Sequence, residues 1–151
     1  MKSVKEVEVV VRRRYKLGEE PAPYNVAVRE PGMVARMAAS VLENQDNESF
    51  LVFLLNIKNK VIGYQEVARG GIDTCPVDPR MVFRAAVLEG ASAVIVVHNH
   101  PSGDPAPSGE DLALTKRLKE GGELLGVPVL DHLIIGGDGS YCSLAEKGLM
   151  P

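Results

Sequence analysis

The sequence predicts an α/β layered domain in which a mixed β-sheet is flanked by helices. Short β-branched apolar runs alternate with helical patterns through the middle of the chain, which is typical of this class. Two of the predicted strands follow one another across a short polar turn. Such a pair forms an antiparallel hairpin, so the sheet is mixed rather than purely parallel.

The N-terminal segment is predicted to be an accessory piece. Valine recurs through residues 4–15, which favours a strand. Residues 18–25, GEEPAPYN, contain two prolines and are typical of a loop. We therefore divide the chain into an N-terminal strand and loop over residues 1–28 and a main domain over residues 29–151.

The main domain is predicted to begin with a helix and a hairpin. Pro31 starts a helical pattern. Its apolar face comprises Val34, Met37, Ala38, Val41 and Leu42. Residues 49–57, SFLVFLLNI, are apolar on both faces and predict a central strand. Residues 58–60 form a turn into the second strand, VIGYQEVARG at residues 61–70.

A second helix is predicted to lead into a buried strand. Asp78 and Pro79 are typical of an N-cap followed by a proline in the first turn. The helix has an apolar stripe of Val82, Phe83, Ala86 and Val87. Gly90 suits the left-handed position that ends a helix. Residues 93–97, AVIVV, predict a buried strand that runs directly into a histidine.

A third helix is predicted over residues 110–125, after a loop that contains three prolines. Its buried side is marked by Leu114, Leu118 and Leu125. Residues 127–137, VPVLDHLIIGG, predict another strand. Residues 136–139, GGDG, turn the chain, and residues 141–144 close the domain.

Composition argues against several functional classes. The 151 residues carry a net charge of −3, so no global positive field attracts nucleic acid or an anionic membrane. The one basic run, RRRYK at residues 12–16, is interpreted as a solvated strand end. We expect no tight binding to nucleic acid. No apolar stretch approaches the length of a membrane span.

The cysteines indicate a reducing compartment. Cys75 and Cys142 are far apart and form no Cys-x-x-Cys pair, which argues against a disulfide framework and a cysteine zinc cluster. Charges interrupt the apolar run of residues 1–17, so this segment is not typical of a signal peptide. These features predict a cytoplasmic protein, and they leave its oligomeric state open.

Two histidines at the end of the AVIVV strand are the first candidates for chemistry. His98 and His100 are two residues apart, so their imidazoles point to the same face of a strand, while Asn99 turns away. Imidazole nitrogens bind zinc, and a carboxylate commonly completes such a site. Asp111 lies in the first turn of the next helix. Three protein ligands would leave one position open for water, which is the mark of a catalytic zinc site.

Simpler structural roles fit some of the same residues. Ser108 and Asp111 have the spacing of a capping box, in which Ser108 caps the helix. This role is compatible with metal binding, because a first-turn carboxylate can cap the helix and still face a metal. His132 lies in an apolar strand and is interpreted as a core histidine or a support for a metal ligand rather than as a ligand itself.

The run HNHPSGDPAPSGED, residues 98–111, resembles the JAMM motif of the JAB/MPN metalloprotease superfamily, His-x-His-Pro followed by Ser-x-x-Asp. It is most similar to the RadC-like branch, which also has a downstream DH-IIG pattern, here DHLIIG at residues 131–136. The resemblance covers about residues 30–151, which are most of the chain, and implies the JAB/MPN fold, which is cytidine-deaminase-like. The deaminase signature of His-x-Glu with Pro-Cys-x-x-Cys is missing.

The resemblance implies a role for each matching residue. The positions of the zinc ligands match His98, His100 and Asp111, and one zinc ion per chain is implied. Ser108 matches the serine that stabilises the oxyanion. Glu48, at the mouth of the first core strand, matches the general base, with Glu43 and Glu66 as alternatives.

Apart from the resemblance, these groups suit hydrolysis of an amide or isopeptide bond in a protein or peptide. Zinc lowers the pKa of bound water to about 7, a carboxylate can accept its proton, and a hydroxyl can donate to the oxyanion. Two other functions stay open: a RadC-like factor associated with DNA repair, and a non-catalytic metal-binding interaction module. The low aromatic content of 5% argues against the first. The intact ligand set argues against a metal-free form of the second.

Overall fold

The structure is a computed structural model that describes residues 27–42, 46–70 and 77–151. Within these ranges the helices are α1 (Pro31–Val41), α2 (Pro79–Glu89) and α3 (Gly109–Leu125). The strands are β1 (Ser49–Leu55), β2 (Val61–Arg69), β3 (Ala93–Asn99), β4 (Val129–Ile135) and β5 (Tyr141–Ser143). The predicted N-terminal strand and the basic run lie outside the described residues.

The five strands form one mixed sheet in the order β2-β1-β3-β4-β5. Strand β1 is antiparallel to both β2 and β3, β3 is parallel to β4, and β4 is antiparallel to β5. The predicted mixed sheet flanked by helices is therefore confirmed. Because β1 and β3 are antiparallel, the start of β1 and the end of β3 meet at one edge of the sheet.

The predicted hairpin of β1 and β2 is also confirmed. Its turn is held by the side chain of Asn56, whose oxygen accepts hydrogen bonds from the backbone N–H groups of Lys58 and Lys60 at 2.9 and 3.0 Å. Asn59 adopts a left-handed conformation with φ of 55°, which asparagine tolerates better than most residues.

Helices cover both faces of the sheet. On one face, α1 packs on alternate residues of the strands, among them Leu51 of β1 and Val97 of β3. On the other face, α2 and α3 pack on the intervening residues, among them Phe50 of β1 and Val96 of β3. His98 follows Val97, so strand alternation turns its side chain toward the layer of α2 and α3.

Helices α2 and α3 begin and end as their sequences predict. The Asp78 carboxylate accepts a hydrogen bond from the N–H of Arg80 at 2.9 Å, and Gly90 ends α2 with φ of 64°. Ser108 caps α3, and Gly126 ends it with φ of 71°. The caps of α3 fix the residues at which it begins and ends, and they place Asp111 in its first turn.

Two residues of the predicted apolar stripes are exposed. Leu125 of α3 is 51% exposed and Val87 of α2 is 58% exposed, so these two predictions are wrong. The chain reverses at Gly126, and the N–H of Val127 donates to the carbonyl of Gly122 at 2.8 Å. Val127, which follows this reversal, is buried in the layer between the sheet and helices α2 and α3. It occupies the layer in which Leu125 was predicted to lie.

No helix within the described ranges is both long enough and apolar enough to cross a membrane.

Candidate metal centre

Four polar side chains meet at the edge of the sheet where β1 begins and β3 ends. Phe50 pairs with His98 in the antiparallel register of these strands, so Glu48, two residues before Phe50, lies beside the end of β3. The first turn of α3 brings Asp111 to the same place. Glu48, His98, His100 and Asp111 each offer a nitrogen or oxygen atom, and these atoms lie within 4.8 Å of one another.

The closest contacts in this group join the two imidazoles and the Asp111 carboxylate. The Nε2 atoms of His98 and His100 are 2.9 Å apart. Asp111 places Oδ1 3.2 Å from Nε2 of His98 and Oδ2 3.2 Å from Nε2 of His100. Glu48 Oε1 lies 3.6 Å from Nε2 of His98. The side chain of His98 is 2% exposed and that of His100 is 18% exposed, so one side of the group faces solvent.

The donor set fits a metal ion. Nδ1 of His100 is 2.9 Å from the carbonyl oxygen of Asp104. A carbonyl oxygen can only accept, so Nδ1 carries the proton and Nε2 presents a lone pair. Lone pairs of imidazole nitrogen and carboxylate oxygen therefore face one another across a few ångströms, and these are the donor types that zinc binds.

Asp111 takes part both in the group and in the cap of α3. Its Oδ2 accepts from the N–H of Ser108 at 2.8 Å, and its own N–H donates to Oγ of Ser108 at 3.1 Å. The predicted capping role of Asp111 is thus confirmed, and the same conformation places its carboxylate beside the two histidines. Burial disfavours the charged carboxylate, but contacts with His98 and Ser108 outweigh it and lower the pKa of Asp111.

Ser108 lies at the rim of the group. Its Oγ accepts the N–H of Asp111, and its hydroxyl hydrogen is not required by that bond. The residue is exposed. A bound molecule at the open side of the centre could therefore accept a hydrogen bond from Ser108.

The side chain of Asn99 forms hydrogen bonds with the backbone of the residues before and after Glu48. The side-chain oxygen of Asn99 accepts from the N–H of Ser49 at 2.7 Å, and its amide donates to the carbonyl of Asn47 at 3.1 Å. The sequence predicted only that Asn99 turns away from the histidines, and it did not reveal these contacts. Burial raises the pKa of Glu48, and the neighbouring imidazoles of His98 and His100 partly oppose this shift.

Glu66, one of the two alternatives to Glu48, is not part of the group. Glu66 forms an ion pair with Arg69, with Oε1 2.8 Å from Nε of the guanidinium. Glu43 lies outside the described residues. Glu48 is thus the predicted base that the structure places beside the histidines.

His132 stands behind His98. It is fully buried, and its Nε2 lies 2.7 Å from Nδ1 of His98. Its Nδ1 lies 2.6 Å from Oγ1 of Thr115. Burial lowers the pKa of His132 to about 3, with a smaller contribution from the neighbouring imidazole of His98. His132 is predicted from the sequence as a core or supporting histidine, whereas Thr115 is not predicted. The one sequence feature that points to Thr115 is its position one helical turn after Asp111.

The loop after His100 is anchored on the turn between β4 and β5. The N–H of His100 donates to the carbonyl of Ile135, and the N–H of Gly137 donates to the carbonyl of Gly103, at 2.9 and 2.8 Å. A Cβ atom on Gly136 would lie 2.6 Å from the carbonyl oxygen of Gly103. The close approach therefore requires glycine at residue 136.

Known proteins resemble this chain over most of its length. A family model for the RadC-like JAB domain matches residues 28–149. A UPF0758 protein of Desulforamulus reducens is 43% identical over 145 residues, which cover 96% of this chain and 63% of the relative. One from Caldanaerobacter subterraneus is 48% identical over 124 residues, or 82% of this chain and 53% of the relative.

A third similar protein, the UPF0758 protein of Pelobacter propionicus, is 55% identical over 103 residues, which cover 68% of this chain and 44% of the relative. The chain thus spans about half to two thirds of the length of these relatives. The family model matches most of the chain and includes every residue of the four-membered group. The chain therefore belongs to the RadC-like JAB domain family.

Proposed function

We propose that this chain is a zinc-dependent hydrolase of amide or isopeptide bonds, with one zinc ion per chain. His98, His100 and Asp111 would hold the metal. The observation that carries the proposal is the convergence of their nitrogen and oxygen atoms, together with a Glu48 oxygen, within 4.8 Å. The convergence lies at a sheet edge with one open side, where a substrate can reach it.

A zinc ion in this site would supply Lewis acidity and lower the pKa of a coordinated water to about 7. Glu48 would accept a proton from that water and deliver it to the leaving amine. Its position supports this role, because Oε1 is 3.6 Å from a ligand nitrogen.

Ser108 would bind the oxyanion that develops on the substrate carbonyl. Its Oγ is fixed by the N–H of Asp111, so the hydroxyl is already in place before substrate binds. Preorganised donors of this kind stabilise the transition state because they need no reorientation during the reaction.

The substrate would be a protein or a peptide, because the proposed chemistry acts on amide bonds. The compartment would be the cytoplasm. Cys142 is a buried free thiol, and unpaired thiols suit a reducing environment.

Metal content and metal-dependent cleavage test the proposal together. The purified full chain should contain about one zinc ion, measured by inductively coupled plasma mass spectrometry. It should cleave members of a library of peptides and isopeptide-linked peptides, lose this activity on dialysis against a chelator, and regain it with zinc. A chain that takes up no zinc would contradict the metal site. A zinc-loaded chain that cleaves no member would instead favour the non-catalytic metal-binding module.

A further inference from the structure

A line of hydrogen bonds runs from the backbone of α3 to the candidate metal centre. Oγ1 of Thr115 lies 2.6 Å from the carbonyl oxygen of Asp111 and 2.6 Å from Nδ1 of His132. Nε2 of His132 lies 2.7 Å from Nδ1 of His98. All three side chains on this line are buried, with Thr115 and His132 at 0% exposure and His98 at 2%.

The hydrogen bonds on this line can be donated in one direction only. The Asp111 carbonyl oxygen has no hydrogen, so the Thr115 hydroxyl must donate to it. The hydroxyl has no second hydrogen, so it accepts from Nδ1 of His132. Within this arrangement His132 is the tautomer with its proton on Nδ1.

The position of the proton on His98 follows from that on His132. The hydrogen-bond partners of the His132 ring are His98 and Thr115, and the ring of Phe50 packs against it. None of these is a carboxylate that could pair with a second proton, so this fully buried ring is neutral. A neutral imidazole has one N–H. Nε2 of His132 is therefore an acceptor, and the proton between the two rings belongs to Nδ1 of His98. Nε2 of His98 is left with a lone pair that faces Asp111 and His100.

We propose that Thr115 and His132 are positioning residues that set the tautomer and ring orientation of His98, so that Nε2 is the nitrogen offered to the metal. This inference rests on the proposed metal site. Partners behind ligand histidines serve this purpose in metal sites generally, where they are usually a carboxylate or a backbone carbonyl. Here the partner is a neutral imidazole, which accepts only because a threonine hydroxyl keeps its proton on the far nitrogen.

The two histidines of the centre therefore depend on different groups. Nδ1 of His100 donates to the backbone carbonyl of Asp104, whose acceptor character no side-chain replacement changes. His98 depends on two side chains in sequence, Thr115 and His132. Replacement of Thr115 should therefore weaken metal binding, although Thr115 contacts none of the metal-binding atoms: its bond to Asp111 is to the backbone carbonyl and not to the carboxylate.

Thr115→Val and Thr115→Ser form a matched pair for the test. Valine keeps the shape and removes the hydroxyl, so His132 is free to move its proton to Nε2, where it would face the N–H of His98. We expect zinc affinity, measured by competition with a chelator, to fall by about 10- to 100-fold. Serine keeps the hydroxyl and should restore the affinity. Thermal unfolding of each metal-free variant shows whether it is folded.

The tautomers are read directly from long-range ¹H–¹⁵N spectra of the full chain with labelled histidine. In the wild type with zinc, we expect the proton of His132 on Nδ1 and that of His98 on Nδ1. His132→Gln, which can offer an oxygen near the place of Nε2, should retain more zinc affinity than His132→Leu.

The outcomes separate this inference from the proposed function. A wild type that binds zinc but has the His132 proton on Nε2 would overturn the inference alone. So would a folded Thr115→Val variant with the affinity of the wild type. A wild type that takes up no zinc, yet shows both expected tautomers, would overturn the proposed function and support the hydrogen-bond line.

Discussion

Asn99 holds the backbone on both sides of Glu48, through the N–H of Ser49 at 2.7 Å and the carbonyl of Asn47 at 3.1 Å. We expect Asn99→Ala to retain zinc but to lose activity, because the proposed base is no longer fixed beside the metal. A displacement of about 1 Å near reacting atoms can cost about 10²-fold in rate. Measured kcat together with zinc content checks this.

Asn99→Asp provides the control for that prediction. It keeps an oxygen for the N–H of Ser49 and lacks a donor for the carbonyl of Asn47. Its activity should lie between those of the wild type and Asn99→Ala. Loss of zinc from Asn99→Ala would show that Asn99 supports the ligand histidines on either side of it instead of Glu48.

Glu48→Gln and His100→Ala should separate catalysis from metal binding. Glutamine keeps the size of the side chain but cannot serve as the base, so zinc should remain while kcat falls by about 10²–10⁴-fold. His100→Ala removes a ligand, so zinc content and activity should fall together. If Glu48→Gln loses its zinc, Glu48 is a ligand or a structural support. If it keeps full activity, another group is the base.

Ser108→Gly should separate the cap of α3 from the oxyanion donor. Glycine at an N-cap costs only a few tenths of a kcal/mol relative to serine, whereas alanine costs about 1 kcal/mol. Ser108→Gly should therefore unfold at nearly the temperature of the wild type while kcat falls by about 10²–10³-fold, as for removal of one oxyanion donor. Ser108→Thr keeps both the cap and the hydroxyl and should remain active. Full activity of the glycine variant would remove Ser108 from the reaction.

Gly136→Ala should disturb the loop that follows His100. The added Cβ would lie 2.5 Å from Oγ of Ser140 and 2.6 Å from the carbonyl of Gly103. Overpacking of this kind costs about 1–3 kcal/mol, and the shifted loop should also weaken zinc binding. Gly63→Ala is the matched control, because no atom lies within 4 Å of its added Cβ. Equal denaturation midpoints for the two variants would contradict the steric argument.

Asp78 should contribute to stability in a pH-dependent way. Hydrogen bonds from the side chain and backbone of Arg80 lower the pKa of Asp78 below 3.8. The folded state thus favours the charged form of Asp78. Its contribution to the free energy of unfolding is therefore fully present above pH 3.8 and is lost as the pH falls through the lowered pKa. Asp78→Asn keeps a capping oxygen without the charge. The difference in free energy of unfolding between wild type and Asp78→Asn should shrink in acid, and a constant difference would contradict this.

The sequence predicts the elements of the fold because their signals are local. The apolar run of β1, the N-cap at Asp78 and the glycine at residue 90 each follow from neighbouring residues. The buried extent of a helix depends on where the chain goes next, so the exposure of Leu125 could not be read from its spacing. The reversal at Gly126, after which Val127 is buried, became visible only in the structure.

The metal centre also combines residues that local patterns predict with residues that only long-range packing brings together. His98, His100 and Asp111 lie within one short stretch, and strand alternation and the helix start bring them together. Glu48 was found only by resemblance to a family, because its position depends on the pairing of β1 with β3. The roles of Thr115 and His132 require the packing of α3 on β4, which no local pattern specifies.

The sequence separation of the site residues has a consequence for how preparations of this protein should be judged. The three proposed ligands belong to one continuous segment from the end of β3 to the start of α3, whereas Glu48 reaches them through the pairing of β1. Glu48 precedes the first residue of β1, and the ends of strands open more readily than their buried middles. A sample could therefore carry a full complement of zinc and be inert. Metal stoichiometry alone would then overstate the fraction of competent molecules, and active-site titration would be needed to count them.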